Sequence, residues 1–403
     1  MEEVDELTQV FKVPLGPQHP ALKEPANFTF DVEGEYVVGV TARVGYNHRG
    51  IEKACETQTF LQDIYLVERI CGICSMAHTT TFCQAVEEIG GIQVPPRGLY
   101  LRTLVHELNR IHSHLLWLGV AGHEVGWDTL LMYVWRDREA VLDILDMLTG
   151  NRVNYAYNTI GGVRRDITPE QTRKLTKTLK LLEERTKHYT NLCLNEKTLL
   201  SRAVGIGVLK PDVARSLCAV GPTLRASGIK MDVRRDDPYA AYDEVPFEVI
   251  TSDMCDVAGR VVVRVGETLQ AINICNWLLD NLPSGDFRTK LVRKIPPGEA
   301  VSRIEAPRGE LIHYVKANGT DKPERVKVRA PTLGNIPAVC EMLKGGYIAD
   351  IPIVLAAIDP CFSCTDRMIF VNRKKEIGWI WSEDELKKYS ANFYAKESLP
   401  GKL

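Results

Sequence analysis

The spacing of apolar residues predicts that long helices dominate the middle of the chain. Apolar positions recur every three or four residues over 99–120 and 130–148, which is the period of an amphipathic helix. Residues 253–282 contain a third long helical pattern. A fourth helix is predicted from Thr168 to about Cys193, because a threonine cap is followed by a proline in the first turn and a glutamine three positions after the cap.

Two stretches rich in β-branched and aromatic residues predict β structure on either side of these helices. Residues 28–45 have a Glu-Gly pair near their centre, which is typical of a hairpin turn. Residues 309–329 contain Asn318 followed by Gly319, a second hairpin signal. The chain is therefore predicted to have β regions at both ends of a helical middle.

The order of these elements predicts an α+β fold dominated by helix. We expect a central bundle of long helices with small flanking β-sheets. The pattern from residues 51 to 89 is also helical and ends at Gly90 and Gly91. No repeat or linker interrupts the chain, so we expect a single domain over residues 1–403.

The charge balance narrows the choice of partners. The 403 residues include 50 lysines and arginines and 52 aspartates and glutamates, a net charge of −2, which gives no reason to expect nucleic acid as a partner. Residues 1–6 are acidic, unlike a secretory signal. No apolar run reaches the ~18–20 residues that span a bilayer. We expect a cytoplasmic protein that reaches a membrane only through partner subunits.

Eleven cysteines in a chain without a secretory signal argue against a disulfide framework. Four of them form two Cys-x-x-Cys pairs, Cys71 with Cys74 and Cys361 with Cys364. Side chains three residues apart on a helical turn share a face, so each pair can offer two thiolates to one metal ion. The remaining seven are expected to be core residues: Cys55, Cys83, Cys193, Cys218, Cys255, Cys275 and Cys340.

The separation of the two pairs helps to distinguish the kind of metal. Four thiolates suit zinc, an iron–sulfur cluster or nickel. Zinc ribbons place their pairs ~12–20 residues apart, because the metal folds a small local unit. Here the separation is 361 − 74 = 287 positions. We therefore favour a catalytic metal buried between the N- and C-terminal segments, with a structural zinc protein as an alternative.

The contexts of the two pairs resemble a known family. Residues 68–75 and 359–367 resemble the two metal-binding signatures of nickel–iron hydrogenase large subunits, in the form found in the energy-converting, membrane-bound group. The resemblance covers nearly the whole chain and also includes residues 16–20, 46–50, 110–116, 161–166 and 305–310. Several of these segments also resemble the 49-kDa subunit of complex I, which lacks the four cysteines. A complex I-like subunit of an NADH-quinone oxidoreductase is therefore a second hypothesis, and it leaves the cysteines unexplained.

The resemblance implies a nickel–iron centre whose iron carries carbon monoxide and cyanide. Cys71 and Cys361 match the terminal ligands of nickel in that family. Cys74 and Cys364 match the ligands that bridge nickel and iron. Four soft, anionic ligands of this kind hold nickel while leaving an open position for hydrogen.

The resemblance also implies roles for five other residues. Arg308 matches an arginine above the metals, and Asp359 matches an aspartate that orients its neighbours. Asp128 is a candidate for a second such aspartate. Glu24 lines up with a proposed proton relay, and Glu52 with a carboxylate near a structural magnesium or iron ion. From the residues alone, a surface ion pair for Arg308 and a solvated loop position for Glu24 are the ordinary alternatives.

The histidines are not expected to bind a metal. His112 and His114 are two positions apart and therefore point to different faces of a helix.

Arg367 stands where most hydrogenases of the family end in a histidine. Residues 368–403 are expected to be either a maturation peptide cleaved after Arg367 or a retained tail.

The implied activity is that of a hydrogenase catalytic subunit, 2H⁺ + 2e⁻ ⇌ H₂, with ferredoxin-level electrons. The sequence shows no further iron–sulfur ligand set, so electrons are expected through a small subunit that carries an iron–sulfur cluster. Ferredoxin-like subunits, integral membrane ion-translocating subunits and maturation proteins are the other implied partners. We expect the protein at the inner face of the cell membrane.

Overall fold

The computed structural model describes residues 10–290, 292–365, 385 and 387–392. The chain divides into two compact units, residues 1–366 and 367–403. In the second unit, residues 387–392 are helical. The expected cleavage point at Arg367 lies outside the described residues, so the fate of the tail stays a prediction, as does the single domain.

Small antiparallel sheets flank the helices of the first unit. Within the described residues the strands are β1 (Val10–Leu15), β2 (Asn27–Glu33), β3 (Tyr36–Arg43), β4 (Asn158–Thr159), β5 (Gly162–Val163), β6 (Gly298–Ala306), β7 (Gly309–Ala317) and β8 (Pro323–Arg329). They form sheets in the orders β1-β2-β3, β4-β5 and β6-β7-β8. The sheets confirm both predicted β regions.

Four of the described strands escaped the sequence prediction: β1, β6 and the two-residue strands β4 and β5. Five of the six residues of β1 are exposed, so this edge strand shows no alternation of buried and exposed apolar positions. In β6 the buried face includes Ala300, Ser302 and Ile304, in which a small and a polar residue weaken the apolar signal. Strands are read from alternating hydrophobicity, and neither β1 nor β6 offers it clearly.

The helices confirm the predicted helical middle. They are α1 (Ile51–Cys55), α2 (Phe60–Glu68), α3 (Ser75–Gly90), α4 (Pro96–Glu124), α5 (Asp128–Thr149), α6 (Pro169–Asn195), α7 (Lys197–Leu200), α8 (Pro211–Ser216), α9 (Pro222–Arg225), α10 (Val233–Asp236), α11 (Val257–Asp280), α12 (Pro331–Leu343), α13 (Ile351–Ala357) and α14 (Phe362–Thr365). The four long helices α4, α5, α6 and α11 are those expected, α6 from its capping signals and the others from their helical patterns. The helical pattern over 51–89 is divided among α1, α2 and α3. Among the described residues, every helix is too short or too polar to span a bilayer.

Helix α4 is the central element and is buried on nearly all sides. It packs against α5, α11 and α13. The indole N–H of Trp117 on α4 donates a 2.7 Å hydrogen bond to the carbonyl of Ala356, at the end of α13. Because α13 leads into the second cysteine pair, this bond fixes the approach of that segment to the core.

Buried ion pairs join the helices around α4. Glu107 of α4 pairs with Arg110 on the same helix and with Arg234 of α10. Arg225 of α9 pairs with Glu267 of α11 and with Glu305 of β6. Removal of one partner from such a buried pair leaves an uncompensated charge, which is strongly destabilising. The pairs therefore specify how these elements are arranged.

A ring contact connects the N-terminal sheet to the second cysteine pair. Phe28 on β2 and Phe362 on α14 are each 1% exposed, and their ring centroids lie 6.0 Å apart. Such tilted aromatic pairs are favourable beyond the apolar area that they bury. The first strands of the chain thus support the turn near its other end.

We expect Phe28→Ala to lower the free energy of unfolding by about 3–5 kcal/mol, since it removes a fully buried ring and leaves a cavity. Phe11→Ala is the matched control, because Phe11 on the neighbouring strand β1 is 56% exposed. It should change the free energy by no more than about 0.5 kcal/mol. Denaturant titration of both variants measures the difference, and equal losses would contradict the expected packing.

Candidate metal centre

The two Cys-x-x-Cys pairs meet in the structure. The sulfur atoms of Cys71 and Cys361 are 3.5 Å apart, and those of Cys74 and Cys364 are 4.0 Å apart. Within the second pair, the sulfur atoms of Cys361 and Cys364 are 2.7 Å apart. All four side chains are buried, with exposed fractions of 3–5%. The chain therefore builds one buried cluster of four thiols from two distant segments.

The first pair occupies the turn between α2 and α3. Cys74 is the N-cap residue of α3, and its backbone N–H donates a 3.4 Å hydrogen bond to the sulfur of Cys71. The N-terminal end of a helix favours negative charge, because its first N–H groups have no partners within the helix. This local structure favours a thiolate at Cys74.

The second pair follows a sharp change of direction after α13. Asp359 has a φ of 53°, in the left-handed region that few residues other than glycine adopt. The next residue, Pro360, cannot donate a backbone hydrogen bond, so the helix cannot continue. The backbone N–H of Cys361 then donates to the hydroxyl of Thr332 on α12, at 3.1 Å. The strained turn aims Cys361 at the first pair.

The thiols of the cluster differ in how readily they ionise. Burial raises the pKa of Cys364 well above its usual value, and the pKa of Cys361 is raised to about 11 despite a hydrogen bond with Cys364. Hydrogen bonds from Cys364 and then Cys71 lower the pKa of Cys74 to about 5. The thiolate is the form that binds metals, and a buried thiolate needs a cation close by. Three ligand atoms from Cys71, Cys361 and Cys364 lie within 4.8 Å of one another. This set of donors fits a soft metal ion.

Arg308 and Asp359 lie together beside the thiols. The guanidinium of Arg308 donates to the carboxylate of Asp359 at 2.8 Å and to its backbone carbonyl at 2.7 Å. Another of its nitrogens is 4.0 Å from the sulfur of Cys71. Both side chains are buried, and the charges of Asp359 and Cys71 raise the pKa of Arg308 well above its usual value, although burial alone would lower it. The arginine is thus a fixed cation at the cluster rather than half of a surface ion pair.

Glu24 also lies beside the cluster, in the loop between β1 and β2. Its carboxylate accepts hydrogen bonds from the Ser363 hydroxyl at 2.6 Å and the Ser363 backbone N–H at 2.9 Å. It lies 4.0 Å from the sulfur of Cys361. Burial raises the pKa of Glu24, and the negative charge of Cys361 raises it further. The geometry excludes a simple solvated loop position.

Asp128 and Glu52 lie elsewhere. The side chain of Asp128 is 72% exposed at the start of α5 and accepts a bond from His123, so it is not among the buried contacts of the thiols. Glu52 on α1 accepts a 2.9 Å bond from the backbone N–H of Val328 on β8. Neither residue belongs to the groups of potential ligands found among the described residues. The roles expected for these two residues stay predictions.

His78 is a residue of the cluster that the sequence did not reveal. One of its ring nitrogens lies within 4.8 Å of the ligand atoms of Cys74 and Cys364. Its Nδ1 lies 3.1 Å from Nε2 of His313, and burial lowers the pKa of His78 to about 4, so the imidazole is neutral. Its place four residues after Cys74 on one face of α3 was the available signal. Spacings between histidines alone do not show it.

The expectation that seven other cysteines lie in the core is correct for four of them. Those that are buried are Cys55, Cys83, Cys193 and Cys275. Cys255 and Cys340 are partly exposed, and Cys218 is exposed. Cys218 follows the short helix α8 with a φ of 53°, in an irregular segment where burial cannot be read from periodicity.

A cavity of about 280 Å³ adjoins the cluster. Arg308, Asp359 and Cys361 contribute to its lining. Most of the remaining lining is apolar, and includes Leu22, Trp117, Val120 and Leu355. The cavity therefore gives small nonpolar molecules room next to the thiols.

Two known protein families match segments of this chain. The family described as the 49-kDa subunit of respiratory-chain NADH dehydrogenase matches residues 124–294 and 289–367. The family described as nickel-dependent hydrogenase matches residues 49–119, which include the first cysteine pair. The two matches together cover both cysteine pairs.

Individual relatives extend over most of the chain. The membrane-bound hydrogenase subunit alpha of Pyrococcus furiosus is 41% identical over 94% of this chain and 92% of its own length. An NADH-quinone oxidoreductase subunit from Dehalococcoides mccartyi is 38% identical over 89% of this chain and 99% of its own. Among solved structures, a chain of the membrane-bound sulfane sulfur reductase, an archaeal respiratory membrane complex, matches with a TM-score of 0.85 and 33% identity. That match covers 91% of this chain and 100% of the other.

Helix α2, which leads into the first cysteine pair, contains a fully buried carboxyl group, Asp63. Asp63 lies on the same helix as Ile64 and Val67, which pack in one apolar cluster with Cys71 and Cys74. Burial raises the pKa of Asp63 to about 8, although the nearby Cys55 thiol acts in the opposite direction. Neither carboxylate oxygen has a hydrogen-bond partner within the geometric limits among the described residues. Near pH 7 the group is therefore mainly protonated.

The raised pKa of Asp63 predicts a specific loss of stability with pH. The folded protein holds this proton more tightly than the unfolded chain, so its contribution is complete below about pH 4 and is lost as the pH rises to about 8. Asp63→Asn cannot ionise. We expect the free energy of unfolding of the wild type to fall relative to that of Asp63→Asn by up to about 1.4 kcal/mol per pH unit in this range. Denaturant titration at several pH values measures the difference.

Asp280→Asn is the control for this titration, because Asp280 is exposed at the end of α11. Its pH profile should run parallel to that of the wild type. Parallel profiles for the wild type and Asp63→Asn would contradict the raised pKa.

Proposed function

The chain belongs to the family that contains energy-converting hydrogenase large subunits and the 49-kDa-type subunits of complex I, and we propose that it is the hydrogenase catalytic subunit of such a complex. It would catalyse 2H⁺ + 2e⁻ ⇌ H₂ with ferredoxin-level electrons. The observation that carries this proposal is the buried cluster of four thiols. A quinone-reducing subunit does not need four clustered thiols. Four clustered thiolates are, however, suitable ligands for a soft metal ion.

A nickel–iron centre with carbon monoxide and cyanide on the iron fits the cluster. The sulfur atoms of Cys71 and Cys361, the proposed terminal ligands, lie together. Those of Cys74 and Cys364, the proposed bridging ligands, also lie together. When bound, such a centre supplies the redox chemistry that interconverts hydrogen with protons and electrons.

Arg308 would supply fixed positive charge at the reacting position. Its guanidinium is held by two hydrogen bonds to Asp359, so it need not reorganise when negative charge develops nearby. Asp359 in turn sets the plane of the guanidinium. A lysine could not reproduce this geometry, because it has a single nitrogen and no planar fork.

Glu24 would move protons between the thiol of Cys361 and the outside of the cluster. Its Oε1 is 4.0 Å from that thiol and accepts a hydrogen bond from the Ser363 hydroxyl. A carboxyl group with a raised pKa exchanges its proton closer to neutral pH than an exposed one. The apolar cavity beside Arg308 would admit hydrogen while limiting water.

The proposal includes partners that this chain needs. Electrons would arrive through a small subunit with an iron–sulfur cluster, fed by ferredoxin-like subunits. Integral membrane subunits would couple the reaction to ion translocation and hold the protein at the inner face of the membrane. The proposal also includes maturation proteins that insert the metals. Relatives that are subunits of membrane complexes support the membrane partners.

A second candidate is the role of a complex I-like 49-kDa subunit, which the match over residues 124–367 favours. Metal analysis of the purified protein separates the two candidates. Nickel and iron in about equal amounts support the hydrogenase, whereas a protein without bound metal supports the second candidate. Zinc alone would support the structural zinc alternative.

Cys74→Ser is expected to abolish hydrogen-dependent dye reduction and to lower the nickel content of the purified complex, because one of the four thiolates that would hold the metal is lost. Cys83→Ser is the matched control. Cys83 is buried on the same helix, α3, and lies outside the groups of potential ligands in the described part of the chain. It should keep nickel and activity. Full activity in Cys74→Ser would refute the proposed site.

Glu24→Gln is expected to lower the rate of hydrogen turnover by about 10²-fold or more, because the amide cannot exchange a proton. The nickel content should remain that of the wild type. Glu35→Gln, in the exposed turn between β2 and β3, controls for the loss of a carboxylate. Unchanged turnover in Glu24→Gln would rule out the proton relay.

A further inference from the structure

The loop between β3 and α1 contacts both cysteine segments through one side chain. Arg49 donates a 2.9 Å hydrogen bond to the carbonyl of Arg69 and a 2.8 Å bond to the carbonyl of Ile70. The same guanidinium donates a 3.1 Å bond to the carbonyl of Ser363. One group therefore bonds backbone atoms that lie some 290 positions apart in the sequence.

Two of these carbonyls belong to residues that directly precede a cysteine of the candidate site. Ile70 directly precedes Cys71, and Ser363 directly precedes Cys364. Arg49 therefore bonds the backbone next to one cysteine of each pair. The planar guanidinium has five N–H donors in a fixed arrangement, and its charge makes each bond stronger than one between neutral groups. A lysine has one nitrogen and cannot match this geometry.

The same loop also supports the segment that contains Glu24. The side-chain amide of Asn47 donates a 3.1 Å hydrogen bond to the carbonyl of Pro25. Glu24 itself accepts two bonds from Ser363. The loop is thus connected to three of the segments that build the candidate site, namely the two cysteine turns and the loop of Glu24.

The thiols need such a connection before a metal is present. They are free cysteines, so no disulfide joins the two turns. Any thiolates that form at 2.7–4.0 Å from one another would repel. A cation that bonds the carbonyls of both turns holds the turns together against this repulsion. It does so without binding to a thiol.

We propose that Arg49 is a positioning residue that joins the two cysteine turns, so that the four thiols are assembled before metal insertion. The hydrogen bonds that it donates to the carbonyls of Ile70 and Ser363 hold the two turns together. The importance of Arg49 for a metal centre rests on the proposed function. Its role in holding the two turns together does not. Arg49 therefore acts through the backbone of its neighbours and touches no reacting atom.

Disulfide trapping in the full chain, produced without nickel, tests this role. Diamide removes two electrons and two protons from a pair of thiols, which then form a disulfide. Mass spectrometry of peptides separates the disulfide between the turns, Cys71–Cys361, from the one within a turn, Cys361–Cys364. Only the first depends on how the two turns are held together, so the second is an internal control for folding and thiol reactivity.

Arg49→Gln is expected to lower the yield of the Cys71–Cys361 disulfide by about five-fold or more, because the effective concentration of one thiol near the other falls. The yield of Cys361–Cys364 should stay at the wild-type level or rise, because the two disulfides compete for Cys361. Arg43→Gln, at the exposed end of β3, is the matched control and should leave both yields at the wild-type level. A wild-type yield of Cys71–Cys361 in Arg49→Gln would overturn the proposal.

Arg49→Lys keeps the charge and provides a second test if Arg49→Gln does not fold. An intermediate yield of the disulfide between the turns is expected, and a wild-type yield would also overturn the proposal. Nickel content is measured separately in the purified complex. If the wild type contains no nickel, the proposed function fails, and the disulfide yields still decide the role of Arg49.

Discussion

The structure depends on bringing together two buried pairs of thiols from opposite ends of the chain without a covalent link. Cys71 and Cys361 lie 3.5 Å apart at the sulfur atoms, although each belongs to a different segment of the fold. The association of thiols alone is not favourable, since those that ionise repel one another in a medium of low dielectric constant. The surrounding helices and strands must therefore supply the free energy that holds the two turns in place.

The fold meets this requirement with contacts to the backbone and with buried cations. Trp117 fixes the end of α13 through the carbonyl of Ala356, and Phe28 packs against Phe362 within the second turn. Arg308, paired with Asp359, brings positive charge to within 4.0 Å of a sulfur atom. Rigid elements hold such a site more accurately than flexible loops would. The long helices are thus the support of the site as well as the core of the protein.

The sequence predicted those features that leave a periodic or local signal. The long helices followed from apolar spacing and, for α6, from capping signals, and the cysteine pairs stood out because both members of each pair are close in sequence. The strands β1 and β6 lack clear alternation and were missed. His78 went unnoticed because its signal in the sequence is a spacing of four residues from Cys74, whereas only the spacings between histidines were weighed. Asp128 lies at the surface, which a short motif does not reveal, and its expected role stays a prediction.

The way in which the turns are held also bears on how one family can contain both hydrogenase subunits and 49-kDa-type subunits. Arg49 bonds the carbonyls of Ile70 and Ser363, and Trp117 bonds that of Ala356. None of these contacts requires a thiol, because backbone carbonyls are present whatever the side chains are. Replacement of the four cysteines would remove the ligands for a metal and leave the joined turns in place. The scaffold and the metal chemistry are therefore separable, and the identity of four side chains decides whether the cluster of thiols exists.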